Sequence, residues 1–248
     1  TNHLIRITTQ SASGADLSAE VRSEHSDGTE IAITGLGFDG AVVTIPLPGR
    51  HNVQNVLCSV AAARALGLTA DQILPALNVL RAPPGRLEPV EDPADEVKVF
   101  VDYAHTDDAL CQVLSAMRPA VPDGAALHVL FGCGGDRDRS KRPRMARVAA
   151  TLADRVMVTS DNPRTEDPEA IIQDILTGIP ESSLAQVDHE VERGRAIRRA
   201  VAIMKRDDVL IVACKGHEDY QILGTHRIAF DDRSHVAEAL RYRSGEGD

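Results

Sequence analysis

Arg155-Val-Met-Val-Thr159 runs into Ser160-Asp-Asn-Pro-Arg-Thr-Glu-Asp-Pro168, and then into the helical pattern Glu169-Ala-Ile-Ile-Gln-Asp-Ile-Leu176. A short β-branched run, a polar loop and an amphipathic segment make a strand–loop–helix unit. In α/β proteins such loops lie at the carboxyl edge of a parallel sheet, where ligands bind. Within a few residues this loop offers the carboxylate of Asp161, the amide of Asn162 and the guanidinium of Arg164, and Pro163 fixes the chain between them. Asp161 can attract an ammonium while Arg164 forks onto a carboxylate, so the tetrapeptide could read a zwitterion. A Pro-containing turn with an Asx cap accounts for it equally.

Outward from that unit the pattern repeats. Residues 97–102, 127–131, 155–159 and 209–213 are short apolar runs of buried-strand type, and helical patterns cover 107–117, 143–152, 169–176 and 194–205. Such alternation predicts an α/β fold with a doubly wound, mostly parallel sheet. All four post-strand loops should then share one edge: Asp102-Tyr-Ala-His105, Gly132-Cys-Gly-Gly-Asp-Arg-Asp138, Ser160–Arg164 and Cys214-Lys-Gly-His-Glu-Asp219. Upstream, β signals at 30–33 and 41–47 precede a predicted helix over 56–66 that stops at Gly67, with Asn52 as its N-cap. A second helix should open near Thr69 or Asp71, and Ala82-Pro-Pro-Gly-Arg86 marks a domain boundary.

Composition narrows the function classes. The 248 residues suffice for one large or two ordinary cores, and 43% apolar with 26% charged residues is a globular composition. A net charge of −10 disfavours nucleic acid as a partner. No apolar run approaches a membrane span. Cys58, Cys111, Cys133 and Cys214 show neither a CxxC pair nor zinc spacing, which fits a reducing compartment. The histidines form no metal pattern, so no protein-built metal site is expected, although a nucleotide could bring magnesium. The chain begins with Thr1 and has no signal peptide, so it is expected to be a piece of a cytoplasmic protein.

Individual motifs leave alternatives open. The spacings of a phosphate loop and of a dinucleotide fingerprint are both missing. The glycines of Gly132–Asp138 are expected to permit a tight turn that projects Arg137, or simply to form a turn. Asn52 and Asn55, three apart on a helix, could bond a nucleotide base or a neighbouring loop. Arg86 and Asp102 could contact a nucleotide or form an interdomain ion pair. His105 could be structural, bonded to backbone. Lys215, His217 and Glu218 could be a solvated charged turn or a polar site.

Taken together, Gly49-Arg-His-Asn-Val-Gln-Asn55, Gly85-Arg-Leu-Glu88, Val101-Asp-Tyr-Ala-His105, Phe131–Asp138, Lys141-Arg-Pro143, Ser160–Pro168, Lys215–Tyr220 and Phe230-Asp-Asp-Arg233 resemble the Mur ligase family, most closely its tripeptide-synthetase (MurE) branch. The resemblance implies that residues 1–84 are the tail of a central ATP-binding domain, and that 85–248 are a Rossmann-like C-terminal domain that binds an amino acid. It implies ATP-dependent amide formation through an acyl phosphate, with ATP and Mg2+ as cofactors. The phosphate loop and metal ligands would lie upstream, so this chain alone is expected to be inactive. The partners implied are small molecules: meso-diaminopimelate, ATP and the UDP-MurNAc-dipeptide, bound by a monomer.

By the same resemblance, Asn52, Asn55, Arg86, Asp102 and His105 would contact ATP. Arg137, Asp161, Asn162, Pro163, Arg164, Cys214 and Glu218 would hold meso-diaminopimelate. Asp-Asn-Pro-Arg goes with that diamino diacid in the family, and Arg164 offers a partner for the carboxylate that lysine lacks. Cys214 stands where the family has glycine, and its side chain is expected to crowd the pocket. A lysine-adding ligase, a folylpolyglutamate synthetase and a non-catalytic amino-acid-binding module are the other readings.

Overall fold

The computed structural model describes residues 4–9 and 14–245, and the chain divides into two compact units, Thr1–Arg81 and Ala82–Asp248. In the first unit, β1 (Ile7–Thr8), β2 (Leu17–His25), β3 (Gly28–Gly35) and β4 (Ala41–Ile45) form a sheet in that order. β1 is parallel to β2 and the rest are antiparallel. Two helices follow, α1 (Arg50–Ala65) and α2 (Ala70–Leu77). The start of α1 corrects the sequence reading. Its N-cap is Gly49, at φ 89°, and Asn52 lies inside the first turn, where its Nδ2 donates to the Pro48 carbonyl at 2.8 Å. Glycine takes that backbone without the Cβ penalty, so the helix begins six residues before the apolar pattern does.

The second unit is built on a sheet of six strands. These are β5 (Glu88–Val90), β6 (Lys98–Val101), β7 (Leu127–Phe131), β8 (Arg155–Thr159), β9 (Gln186–Glu190) and β10 (Val209–Val212). Their order is β5-β6-β10-β7-β8-β9, with β5 antiparallel and the others parallel. Every residue of β7 and β10 is buried, as expected for strands covered on both faces. α3 (Asp107–Met117), α4 (Lys141–Leu152) and α5 (Pro168–Leu176) pack on one face around Phe100, Val129, Phe131 and Val158. α6 (Arg193–Ala202) and α7 (Asp232–Ser244) cover the other around Leu130, Met157 and Val212. A hairpin, β11 (Tyr220–Leu223) and β12 (His226–Ala229), precedes α7.

The register places the site. Val212 lies level with both Val101 and Leu130, and Phe131 with Val158, so β6, β10, β7 and β8 end together. The return of β10 between β6 and β7 reverses the strand order there. Ligands bind open α/β sheets in the crevice beyond such a reversal.

Candidate functional site

The 160–164 loop closes on the turn that follows β10. Asn162, 3% exposed, donates from Nδ2 to Glu218 Oε2 at 3.0 Å, and its Oδ1 accepts from Ile222 N at 2.9 Å and Lys215 Nζ at 3.4 Å. Lys215 is completely buried, its ammonium 3.2 Å from Glu218 Oε2 and 3.6 Å from Asp161 Oδ1. At that distance Asp161 Oδ1 is within Coulomb range but outside hydrogen-bond reach, and it is a buried acceptor with no hydrogen-bond partner. Two carboxylates against one ammonium leave a single negative charge. The solvated-turn alternative for Lys215 is therefore incorrect: a buried ammonium needs these acceptors, drawn from the 160–164 loop and from its own turn.

Arg164 is held from behind. Its backbone takes φ 53°, fixed by Arg164 N donating to Ile222 O at 3.1 Å and Gly224 N donating to Arg164 O at 2.8 Å. Its Nη1 donates to Gly135 O at 2.8 Å and lies 3.4 Å from Asn162 O. Among the described residues Nε and Nη2 make no hydrogen bond, so one edge of the fork remains available. Pro163 is buried between these anchors.

The Gly-rich loop after β7 differs from expectation. A Cβ at Gly132 would meet Thr159 O at 2.3 Å, one at Gly135 would meet Pro163 O at 1.9 Å, and one at Gly134 would meet Arg164 Nη1 at 2.9 Å. These glycines serve close approach to the neighbouring loop rather than an unusual turn. The left-handed residue is Asp136, at φ 53°. Arg137 beside it is exposed, with Nη1 3.5 Å from Asp136 O.

Behind both loops lies Arg142, completely buried on α4. It donates to Glu166 Oε2 at 3.1 Å, to Glu166 Oε1 at 2.9 Å and to Asp174 Oδ2 at 2.8 Å. Hydrogen bonds from Arg142, then from the Asp136 amide, pull the Glu166 carboxyl from an ordinary 4.5 down to about 2. A depressed carboxylate stabilises the fold above its unfolded pKa and stops doing so as pH falls through its folded value. The stability difference between the wild type and Glu166→Gln should therefore be complete above pH 4.5 and shrink as pH falls toward about 2. Urea unfolding at a series of pH values checks this, and a difference that stays constant would contradict it.

Cys214 corrects the crowding expectation. It adopts φ 89° and is 3% exposed, with Sγ 3.1 Å from Gly132 O and 3.4 Å from Ala104 O. Its side chain therefore points into the core, and burial pushes the thiol above its ordinary range. Only its backbone can face a ligand.

A second cluster gathers on the loop after β6. The Tyr103 ring lies 4.7 Å from that of His105 and 5.1 Å from that of His217, with the Arg86 guanidinium 5.2 Å from its centroid. Asp102 accepts from Leu87 N and Ala104 N, both at 2.8 Å, and His105 Nδ1 lies 2.9 Å from Tyr103 O. Arg86 and Asp102 belong to the same unit. Tyr103 was missed as a site residue, although it sits within the quoted motif. In the first unit, Asn52 and Asn55 share a helix face, with Asn55 Nδ2 3.5 Å from Asn52 Oδ1.

Among the described residues no group of His, Cys, Asp or Glu could hold a metal ion, and no helix is long and apolar enough to cross a membrane. A cavity of about 240 Å³ opens at the opposite strand ends beside His128, Arg155 and Asp188, and none of the candidate residues borders it.

Comparison with known proteins follows the two units. Residues 85–216 match the model of the Mur ligase glutamate ligase domain, and residues 1–63 that of the Mur ligase middle domain. The UDP-N-acetylmuramoyl-L-alanyl-D-glutamate–2,6-diaminopimelate ligase of Gloeobacter violaceus is 51% identical over 207 residues, which cover 84% of this chain and 42% of that protein. The ligase of the same name from Thermosynechococcus vestitus is 48% identical over 231 residues, 92% of this chain and 45% of that protein. A solved structure of such a diaminopimelate ligase superposes with a TM-score of 0.74 at 35% identity, over 96% of this chain and 47% of that one. The chain thus spans less than half the length of the relatives it matches.

Proposed function

This chain belongs to the Mur ligase family, and from that premise we propose that it carries the amino-acid site of an ATP-dependent ligase joining meso-diaminopimelate to the D-glutamyl carboxylate of UDP-MurNAc-L-Ala-D-Glu. Residues 1–84 are the end of the ATP-binding central domain and 85–248 the amino-acid-binding domain, acting as a monomer in the cytoplasm. The reading is carried by the charge pattern around Asn162: the carboxylates of Asp161 and Glu218 share one buried ammonium, and the Arg164 guanidinium is anchored beside them through Nη1.

One end of a diamino diacid is a zwitterion, and both halves find partners here. Its ammonium completes the charge balance of Asp161 and Glu218, and its carboxylate forks onto Arg164, with Arg137 at the rim. Asn162 keeps Glu218 and Lys215 in place, and Pro163 and the backbone of Cys214 bound the pocket. Gripping that end leaves the other amine free to attack the acyl phosphate; the C–N bond forms as phosphate leaves. The domain contributes mainly alignment of the amine, a large fraction of the barrier in such transfers.

Asn52, Asn55, Arg86, Asp102 and His105 would contact ATP. The ring and guanidinium cluster at Tyr103 suits a base or a phosphate, and magnesium would arrive with the nucleotide. Bound ATP supplies the phosphoryl group that activates the acyl substrate.

Amine-dependent phosphate release by the full-length enzyme tests the reading. With ATP and the UDP-dipeptide present, release should depend on meso-diaminopimelate and proceed poorly with L-lysine. Release that prefers L-lysine, or ignores both amines, would contradict it.

A further inference from the structure

We infer that the pair made by buried Arg142 with Glu166 is the positioning device of the amino-acid site, fixing the spacing between the Arg137 turn and the Arg164 turn without touching substrate. The inference rests on the proposed function and extends it to residues on the far side of both loops. Three observations carry it.

First, the pair links the two turns, beside further contacts from Arg142 to Asp174 and from Arg139 to Glu166, each at 2.8 Å. Glu166 follows the 160–164 loop, yet its Oε1 accepts from the Asp136 amide at 2.6 Å, in the other loop. Arg142 adds a contact to Gly134 O at 3.4 Å while gripping both oxygens of Glu166. Asp136 answers in the opposite direction, accepting from Thr165 N at 3.2 Å and Thr165 Oγ1 at 2.9 Å. Between these clasps, Gly135 N donates to Asn162 O at 2.9 Å. Arg137 and Arg164 each lie within two residues of this lattice.

Second, the stability contributed by the Glu166 charge does not exhaust the role of the pair. Arg142 is completely buried, and its Nε is a buried donor without a hydrogen-bond partner. Buried ion pairs are commonly neutral or worse than an apolar replacement of the same volume. The return here is geometry: a planar fork against a carboxylate permits one arrangement, and that arrangement sets where Asp136 stands.

Third, the adjoining loops cannot slide. Cβ atoms at Gly134 or Gly135 would meet the Arg164 guanidinium or the Pro163 carbonyl. The two turns are at contact distance, so a relaxed Glu166 must move Arg137 relative to Arg164.

The test uses Arg142→Lys, which keeps the charge and loses the fork, and Glu166→Gln, which keeps the shape and loses the charge, both in the full-length ligase. Each should raise KM for meso-diaminopimelate at least tenfold and leave KM for ATP and for the UDP-dipeptide within twofold. The double variant should be no worse than the more severe single one, because the two residues act as a unit. L-Lysine, which lacks the far carboxylate, should be used no less well than before. If all three KM values move together, or none moves in variants with wild-type circular dichroism, the inference is overturned. Should Arg142→Lys fail to fold, Glu166→Gln decides by the same KM values. Arg164→Ala separates the two levels: if it changes KM for meso-diaminopimelate and the pair does not, this inference alone fails, and if it does not, the proposed function fails with it.

Discussion

Arg164→Ala in the full-length ligase is expected to raise KM for meso-diaminopimelate by roughly two to three orders of magnitude, with KM for ATP little changed. Truncating one partner of a hydrogen-bonded charge pair costs about 2–5 kcal/mol, and each 1.4 kcal/mol is about tenfold in affinity. The upper part of that range applies because Arg164 is set before substrate arrives. Its φ of 53° is uncommon for a residue with a Cβ, and Ile222 O and Gly224 N hold it there. Strain of about 1–3 kcal/mol at such a residue persists only where the surroundings enforce it. Nη1 is already occupied by Gly135 O, so the substrate carboxylate meets a fork that cannot swing away. Arg164→Lys should recover only part of the loss, since an ammonium retains the charge without the bidentate geometry. A change below threefold in the alanine variant would remove Arg164 from the role.

The second large effect concerns the scaffold. Arg193→Met should destabilise this unit by about 3–5 kcal/mol, a large share of the roughly 5–15 kcal/mol that holds a typical domain. Arg193 and Asp232 are both fully buried, joined by Nε–Oδ1 and Nη2–Oδ2 contacts of 2.7 Å each. Arg193 also donates to Ser160 O at 3.2 Å and Ala213 O at 2.8 Å, the first residues beyond β8 and β10. Methionine would leave the Asp232 carboxylate and both carbonyls without their donor, and it is this orphaned charge that carries the cost. Arg193→Met combined with Asp232→Leu should recover much of the loss, because neither charge is then stranded. Urea unfolding followed by circular dichroism measures both variants. A loss under 1 kcal/mol in the single variant, or no recovery in the double, would contradict the assignment.

The sequence is legible where one principle dominates. Leu127–Phe131 and Val209–Val212 are unbroken apolar runs, and they are the central strands. β9, Gln186-Val-Asp-His-Glu190, carries one apolar residue because it is an edge strand, so periodicity could not reveal it. The β11–β12 hairpin and α7 escaped for a related reason: β12 is exposed throughout, and α7 is rich in charged residues. The site divides in the same way. Asp161, Asn162 and Arg164 announce themselves by lying together on one loop. Lys215 could be read as a solvated turn or a polar site, because two of the acceptors that permit its burial, Asp161 and Asn162, lie far away in sequence. The burial of Arg142 has no local sign either, since Glu166 and Asp174 are equally remote. Cys214 suggested a crowded pocket only because the sequence gives no sign of φ 89°, which turns its thiol inward.

Substrate and residue can be varied together to test whether Arg164 reads the second carboxylate. The ratio of kcat/KM for meso-diaminopimelate to that for L-lysine should be measured in the full-length enzyme and in Arg164→Ala. The wild type should favour the diacid by at least about 100-fold, as a site whose buried polar partner is left unpaired rejects the smaller analogue. In the variant that ratio should collapse toward unity, chiefly through loss of activity on the diacid. An equally large ratio in both enzymes would show that discrimination lies elsewhere.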